Sequence, residues 1–105
     1  MDEVRVRSAI RDTDLVWLFD GRVLEVFGMS ADAARYHVGL MSLKAEGPDR
    51  GNRYKVSIDA IAGTSRGGMN DIVDEAGFEL LRPLLKRVHD AIELASGGAP
   101  GPAPD

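Results

Sequence analysis

Asp20-Gly21 separates the apolar run Leu15-Val16-Trp17-Leu18-Phe19 from Arg22-Val23-Leu24-Glu25-Val26-Phe27, and this arrangement leaves the chain few options. An Asp-Gly pair supplies the positive φ angles of a two-residue hairpin turn. Both flanks are rich in β-branched and aromatic residues, so an antiparallel hairpin is expected. The first arm is apolar throughout, which predicts a strand covered on both faces. Upstream, the run from Val4 to Ile10 alternates with a period of two, placing Val4, Val6 and Ile10 on one face and Arg5 and Arg7 on the other. Arg11-Asp12-Thr13-Asp14 is the polar turn between that strand and the hairpin.

Further along, Gly28 to Ala34 fits either a helical turn capped by Ser30 or a loop of small residues. Tyr36-His37-Val38 resumes strand-like composition, and Leu40-Met41 are apolar. A second hairpin has Ser42 to Glu46 and Asn52 to Ile61 as arms, joined by the turn-forming Gly47-Pro48-Asp49-Arg50-Gly51. In its return arm Tyr54, Val56, Ile58 and Ala60 alternate with Lys55, Ser57 and Asp59, as in a sheet with one wet face. Gly63 to Gly68 reads as a flexible loop, and Met69 to Val73 as a short edge strand.

From Glu75 the period changes. Phe78, Leu81, Leu84, Leu85, Val88, Ala91, Ile92 and Ala95 recur at spacings of three and four, the stripe of an amphipathic helix that packs on a sheet. Pro83 inside the pattern removes a backbone donor, which predicts an irregular first turn and regular helix from about Pro83 to Ala95. Gly97-Gly98 ends it. The fold class is therefore α+β, an antiparallel meander or partly open barrel closed by one C-terminal helix. One domain is expected over residues 1–96, with a disordered Gly/Pro/Ala tail over 97–105.

Composition narrows the chemistry. The chain has 105 residues, 44% hydrophobic and 29% charged, which suits one core in one domain. There are no cysteines, which rules out disulfides, thiolate metal sites and cysteine nucleophiles. Met1-Asp2-Glu3 lacks the basic and apolar regions of a secretory signal, and no window has the length of a membrane span, so a cytoplasmic location is expected. The net charge of −4 and the scattered cations argue against nucleic acid as a partner.

Specific residues carry little catalytic signal. His37 and His89 are separate, so neither a metal nor another cofactor is expected. Asp71, Asp74, Glu75 and Glu79 gather at the start of the helix, where capping explains Asp74 and Glu75 without catalysis. No G-x-S-x-G elbow supports acyl transfer. Ser65 and Arg66, within the Gly63 to Gly68 loop, form a weak candidate anion site, although the stretch matches neither the phosphate-loop nor the dinucleotide fingerprint. Trp17, Phe19, Tyr36 and Tyr54 could stack bases, but the unbroken apolar run around Trp17 and Phe19 assigns those two to the core.

FDGRVLEVFG (Phe19 to Gly28), ARYHVGLMSLKAE (Ala34 to Glu46) and FELLRPLLKRVHDAI (Phe78 to Ile92), set in a meander closed by a C-terminal helix, resemble the small pleckstrin-homology-like (PH-like) domains of bacteria, particularly actinobacterial ones. The resemblance covers roughly Val4 to Ala95. It implies a binding scaffold without catalytic residues. Phosphoinositide binding, which some members perform through a basic first loop, does not carry over, because Arg11 to Asp14 contains two acids and one base. Neither is membrane insertion expected. What remains is an interaction module for a protein or peptide, or for a second copy of itself. Met69, Asp71, Ile72 and Val73 form the candidate partner-binding edge, since so short a final strand leaves backbone groups unpaired. The alternative is a small-molecule-binding or enzymatic domain using the open side of the sheet and the Gly63 to Gly68 loop.

Overall fold

The computed structural model describes residues 1–28, 34–60 and 68–95. The Ser30 cap or loop, the Gly63 to Gly67 stretch with Ser65 and Arg66, and the 97–105 tail lie outside the described residues. The fold is α+β. Strands β1 (Asp2–Arg7), β2 (Asp14–Phe19), β3 (Val23–Phe27) and β4 (Ala34–His37) form one antiparallel sheet in that order. A 3-10 turn, Val38–Leu40, leads to a second antiparallel sheet of β5 (Met41–Glu46), β6 (Arg53–Ala60) and β7 (Met69–Asp74). Helix α1 (Glu75–Ala95) packs on both, so the two sheets and the helix enclose one core without closing a barrel.

That core is what the apolar faces of the strands predict. Val6, Leu15, Trp17, Phe19, Leu24 and Val26 come from the first sheet, and Met41, Val56, Ile58, Met69 and Val73 from the second. Leu81, Leu84, Leu85 and Val88 of α1 close it, with Phe78, Ala91 and Ile92 partly buried at its margin. No helix among the described residues is long and apolar enough to cross a membrane.

Four local expectations need correction. Strand β2 is covered on one face only: Leu15, Trp17 and Phe19 are buried, whereas Val16 and Leu18 are half-exposed on the far face beside Arg5 and Glu3. An apolar run thus marks a buried strand only if a second layer exists on both sides, and here the core lies on one. The β2–β3 turn has Gly21 and Arg22 at its centre instead of Asp20 and Gly21. Register pairs Phe19 with Leu24, Gly21 takes φ +101°, and Asp20 stays outside the positive-φ region. Asp20 serves as an acceptor instead, its Oδ1 receiving the N–H groups of Arg22 at 2.8 Å and Val23 at 2.9 Å. Ile10 is half-exposed, because β1 ends at Arg7 and the chain turns before the alternation reaches it.

The fourth correction concerns α1, which is continuous from Glu75 through Pro83 to Ala95. Asp74 caps it, its Oδ1 accepting the Gly77 N–H at 2.7 Å. Pro83 sits on the exposed side, and buried residues before and after it hold both halves against the sheets, so tertiary packing offsets the missing backbone bond.

The β5–β6 turn is built like the first, around one carboxylate. Asp49 Oδ1 accepts from Gly51 and Arg53, and Asp49 exchanges backbone bonds with Arg53 and Asn52. Gly47 there has φ +137°, and a Cβ would lie 2.9 Å from the Arg53 carbonyl, so only glycine fits. The backbone N–H donors of Val23 and Arg22 hold the Asp20 carboxyl below its usual range; those of Arg53 and Gly51 do the same for Asp49. A lowered folded-state pKa contributes stability above the unfolded value that is lost as pH falls through the folded one. The urea midpoint is therefore expected to drop below about pH 4. The Asp20→Asn/Asp49→Asn double variant keeps both acceptors but no longer titrates, and should lose part of that drop. An unchanged pH profile would show that these carboxylates do not couple to folding.

Candidate interaction surfaces

The sequence places the candidate partner edge on β7, and the structure shows how that strand is used. Met69, Asp71 and Val73 point inward and are buried, and Ile72 alone of the four is partly exposed. The side of β7 away from β6 is engaged by the segment that follows β1. The Ala9 N–H donates to the Ile72 carbonyl, and Arg11 Nη1 donates to the Asn70 carbonyl at 2.9 Å. One backbone bond and one guanidinium thus take two of the carbonyls that a partner strand would need.

A buried clasp fixes this contact. Asp71 is 0% exposed on an otherwise apolar face, and a carboxylate there requires partners. Ser8 Oγ donates to its Oδ1 at 2.6 Å, and Arg11 Nη1 approaches the same oxygen at 3.1 Å. The Ser8 hydroxyl in turn accepts the N–H groups of Ile10 and Arg11, which shapes the turn after β1. Asp71 Oδ2 has no partner among the described residues. The signal for this clasp was present in the sequence as an acid at an inward position of an alternating strand, but its partners lie about sixty residues away, with separations of 63 and 60.

Strand β1 presents the opposite case. The Ser8 N–H bonds back to Thr13, on the β2 side, and the Ala9 N–H points the other way, to β7. By strand alternation Glu3, Arg5 and Arg7 share the outward direction of Ala9. Among the described residues nothing bonds to the outward backbone groups of those three. Their side chains lie on the exposed face of the sheet. Arg7 is held by Asp12 at 2.7 Å and Asp14 at 3.5 Å, whereas Glu3 and Arg5 have no ion-pair partner among the described residues.

An open groove of about 390 Å³ lies beside the β5–β6 turn, lined by Glu46, Asp49, Arg53, Tyr54, Lys55 and Ile72 among others. Next to it Tyr54 stacks on Phe78 with ring centres 4.1 Å apart, and the Arg82 guanidinium lies over Phe78 at 5.5 Å. Tyr54 is therefore committed to fixing the start of α1 on the sheet. On the four-stranded sheet, Val16, Leu18, Val23 and Phe27 form a partly exposed apolar strip.

The remaining candidates are dispersed. His37 is exposed and its Nδ1 accepts the Gly39 N–H, and His89 lies within 3.8 Å of Glu93 on the outer side of α1. No group of three or more His, Asp or Glu residues able to hold a metal occurs among the described residues. Trp17 and Phe19 are in the core, and Tyr36 is on the inner face, where burial pushes its phenol upward. Glu79 pairs with Arg82, and Asp74 is occupied as the helix cap. No protein-family model, curated protein or solved structure matches this chain.

Proposed function

We propose that this chain is a non-enzymatic protein- or peptide-interaction module on a PH-like scaffold of the bacterial, actinobacterial type. The arrangement of four strands, then three, then a C-terminal helix is compatible with that scaffold. The observation that carries the reading is the unbonded outward edge of β1 from Glu3 to Arg7, since a strand edge accepts an extended segment through backbone hydrogen bonds. The first loop offers poor support for anionic lipid headgroups. Arg11 is turned to Asp71 and Asn70, and Asp12 is paired with Arg7.

The test is capture from a native lysate by the tagged wild-type chain and by Arg5→Pro. Proline at residue 5 removes an outward N–H and leaves the ladder to β2 intact, which edge strands tolerate. A specific protein recovered by the wild type and lost from the folded variant is the expected outcome. A metabolite-dependent rise in melting temperature, with no protein recovered, would instead support the small-molecule reading and the groove beside Tyr54.

A further inference from the structure

Strand β1 carries a charge pattern that complements itself. With outward backbone groups on Glu3, Arg5 and Arg7, a second copy can add its own β1 antiparallel across a two-fold axis. If the axis passes through Val4, Glu3 of each chain stands directly opposite Arg5 of the other, on the same exposed face. Both pairs are hydrogen-bonding positions, and among the described residues neither side chain has a partner within its own chain. Shifting the axis to Arg5 would bring two arginines face to face and would leave Glu3 opposite Arg7, which Asp12 and Asp14 already hold. Charge therefore selects one register.

Helix α1 supports the same contact from the inner side. It runs antiparallel to β1: Gly77 lies beside Val6, and Arg87 pairs with Asp2 at the opposite end of the strand. Leu80, Arg87 and Leu94 are spaced by seven residues, so they form one row along the helix, and the Arg87–Asp2 pair shows that this row faces the β1 edge. Leu80 is 59% exposed and Leu94 67% exposed. Val4, partly buried, would meet its two-fold mate beneath this row.

We infer that the chain forms a two-fold homodimer in which β1 pairs with β1 of a second copy in the register Glu3 opposite Arg5, flanked by the Leu80 row of each helix. The result joins two four-stranded sheets into one of eight strands. A closed two-fold uses up the β1 edge of each copy, so this contact ends in a dimer instead of a filament. This inference rests on the interaction reading above and names its partner.

The experiment is sedimentation equilibrium of the full chain over a concentration series reaching hundreds of micromolar, with circular dichroism confirming that each variant is folded. The wild type is expected at twice 11.3 kDa. Arg5→Glu sets acid opposite acid twice and should weaken association by about tenfold or more. The swap Glu3→Arg/Arg5→Glu restores both attractive pairs and should return the affinity to within about threefold of wild type, while Leu80→Lys should weaken it without affecting that rescue. A wild-type monomer throughout, a dimer indifferent to Arg5→Glu, or a swap that fails to rescue overturns the proposal. Lysate capture that depends on the β1 edge in a monomeric wild type would sink the self-pairing alone; absence of both would sink the interaction reading too.

Discussion

Arg11→Ala is expected to lower the stability of the fold by about 3–5 kcal/mol, because it leaves a carboxylate buried without a countercharge. Asp71 is fully inside, and its remaining partner would be the Ser8 hydroxyl, with Oδ2 already unmatched. The same change also frees the Asn70 carbonyl and loosens the turn that ties β1 to β7. Removing charge from the other side should cost less. Asp71→Asn keeps an oxygen for the Ser8 O–H, and Arg11, with its side chain 28% exposed, can turn toward water, so about 1–3 kcal/mol is expected. Equilibrium urea unfolding of both variants provides the comparison. Equal losses, or a loss below about 1 kcal/mol for Arg11→Ala, would mean that the clasp is not the contact that joins the sheets.

Truncation in the helix gives the second large effect. Leu84 is fully buried between the sheets, and Leu84→Ala should destabilise the protein by about 2–5 kcal/mol, with Leu85→Ala close behind. Lys86→Ala, on the solvent side of the same turn, should stay within about 0.5 kcal/mol. Thermal and urea unfolding measured on the three variants should separate them into these two groups. If all three behaved alike, the helix would be an appendage and not the lid of the core.

Much of this architecture can be read from local pattern. The alternation in Tyr54 to Ala60 matches the register of β6, and the three-four spacing after Glu75 predicts the docking face of α1 through Leu84, Leu85, Val88 and Ile92. These readings succeed because period and burial are set by one element against one neighbouring layer. The misreadings share a cause as well. Whether Val16 and Leu18 are covered depends on a second layer, and whether Pro83 breaks a helix depends on what holds both halves down.

The surfaces for partners divide in the same way. By itself the sequence determined the α+β class, two hairpins, the apolar face of each strand and the long closing helix, since each follows from residues a few positions apart. It also placed Arg5 and Arg7 on the outer side of the first strand. Only the tertiary structure decided between the edges of β7 and β1: a turn near Ser8 reaches across to residues 70–72, engages β7 and leaves β1 unbonded. Edge strands are equivalent in sequence. The difference arises from contacts about sixty residues apart, and no local spacing encodes these.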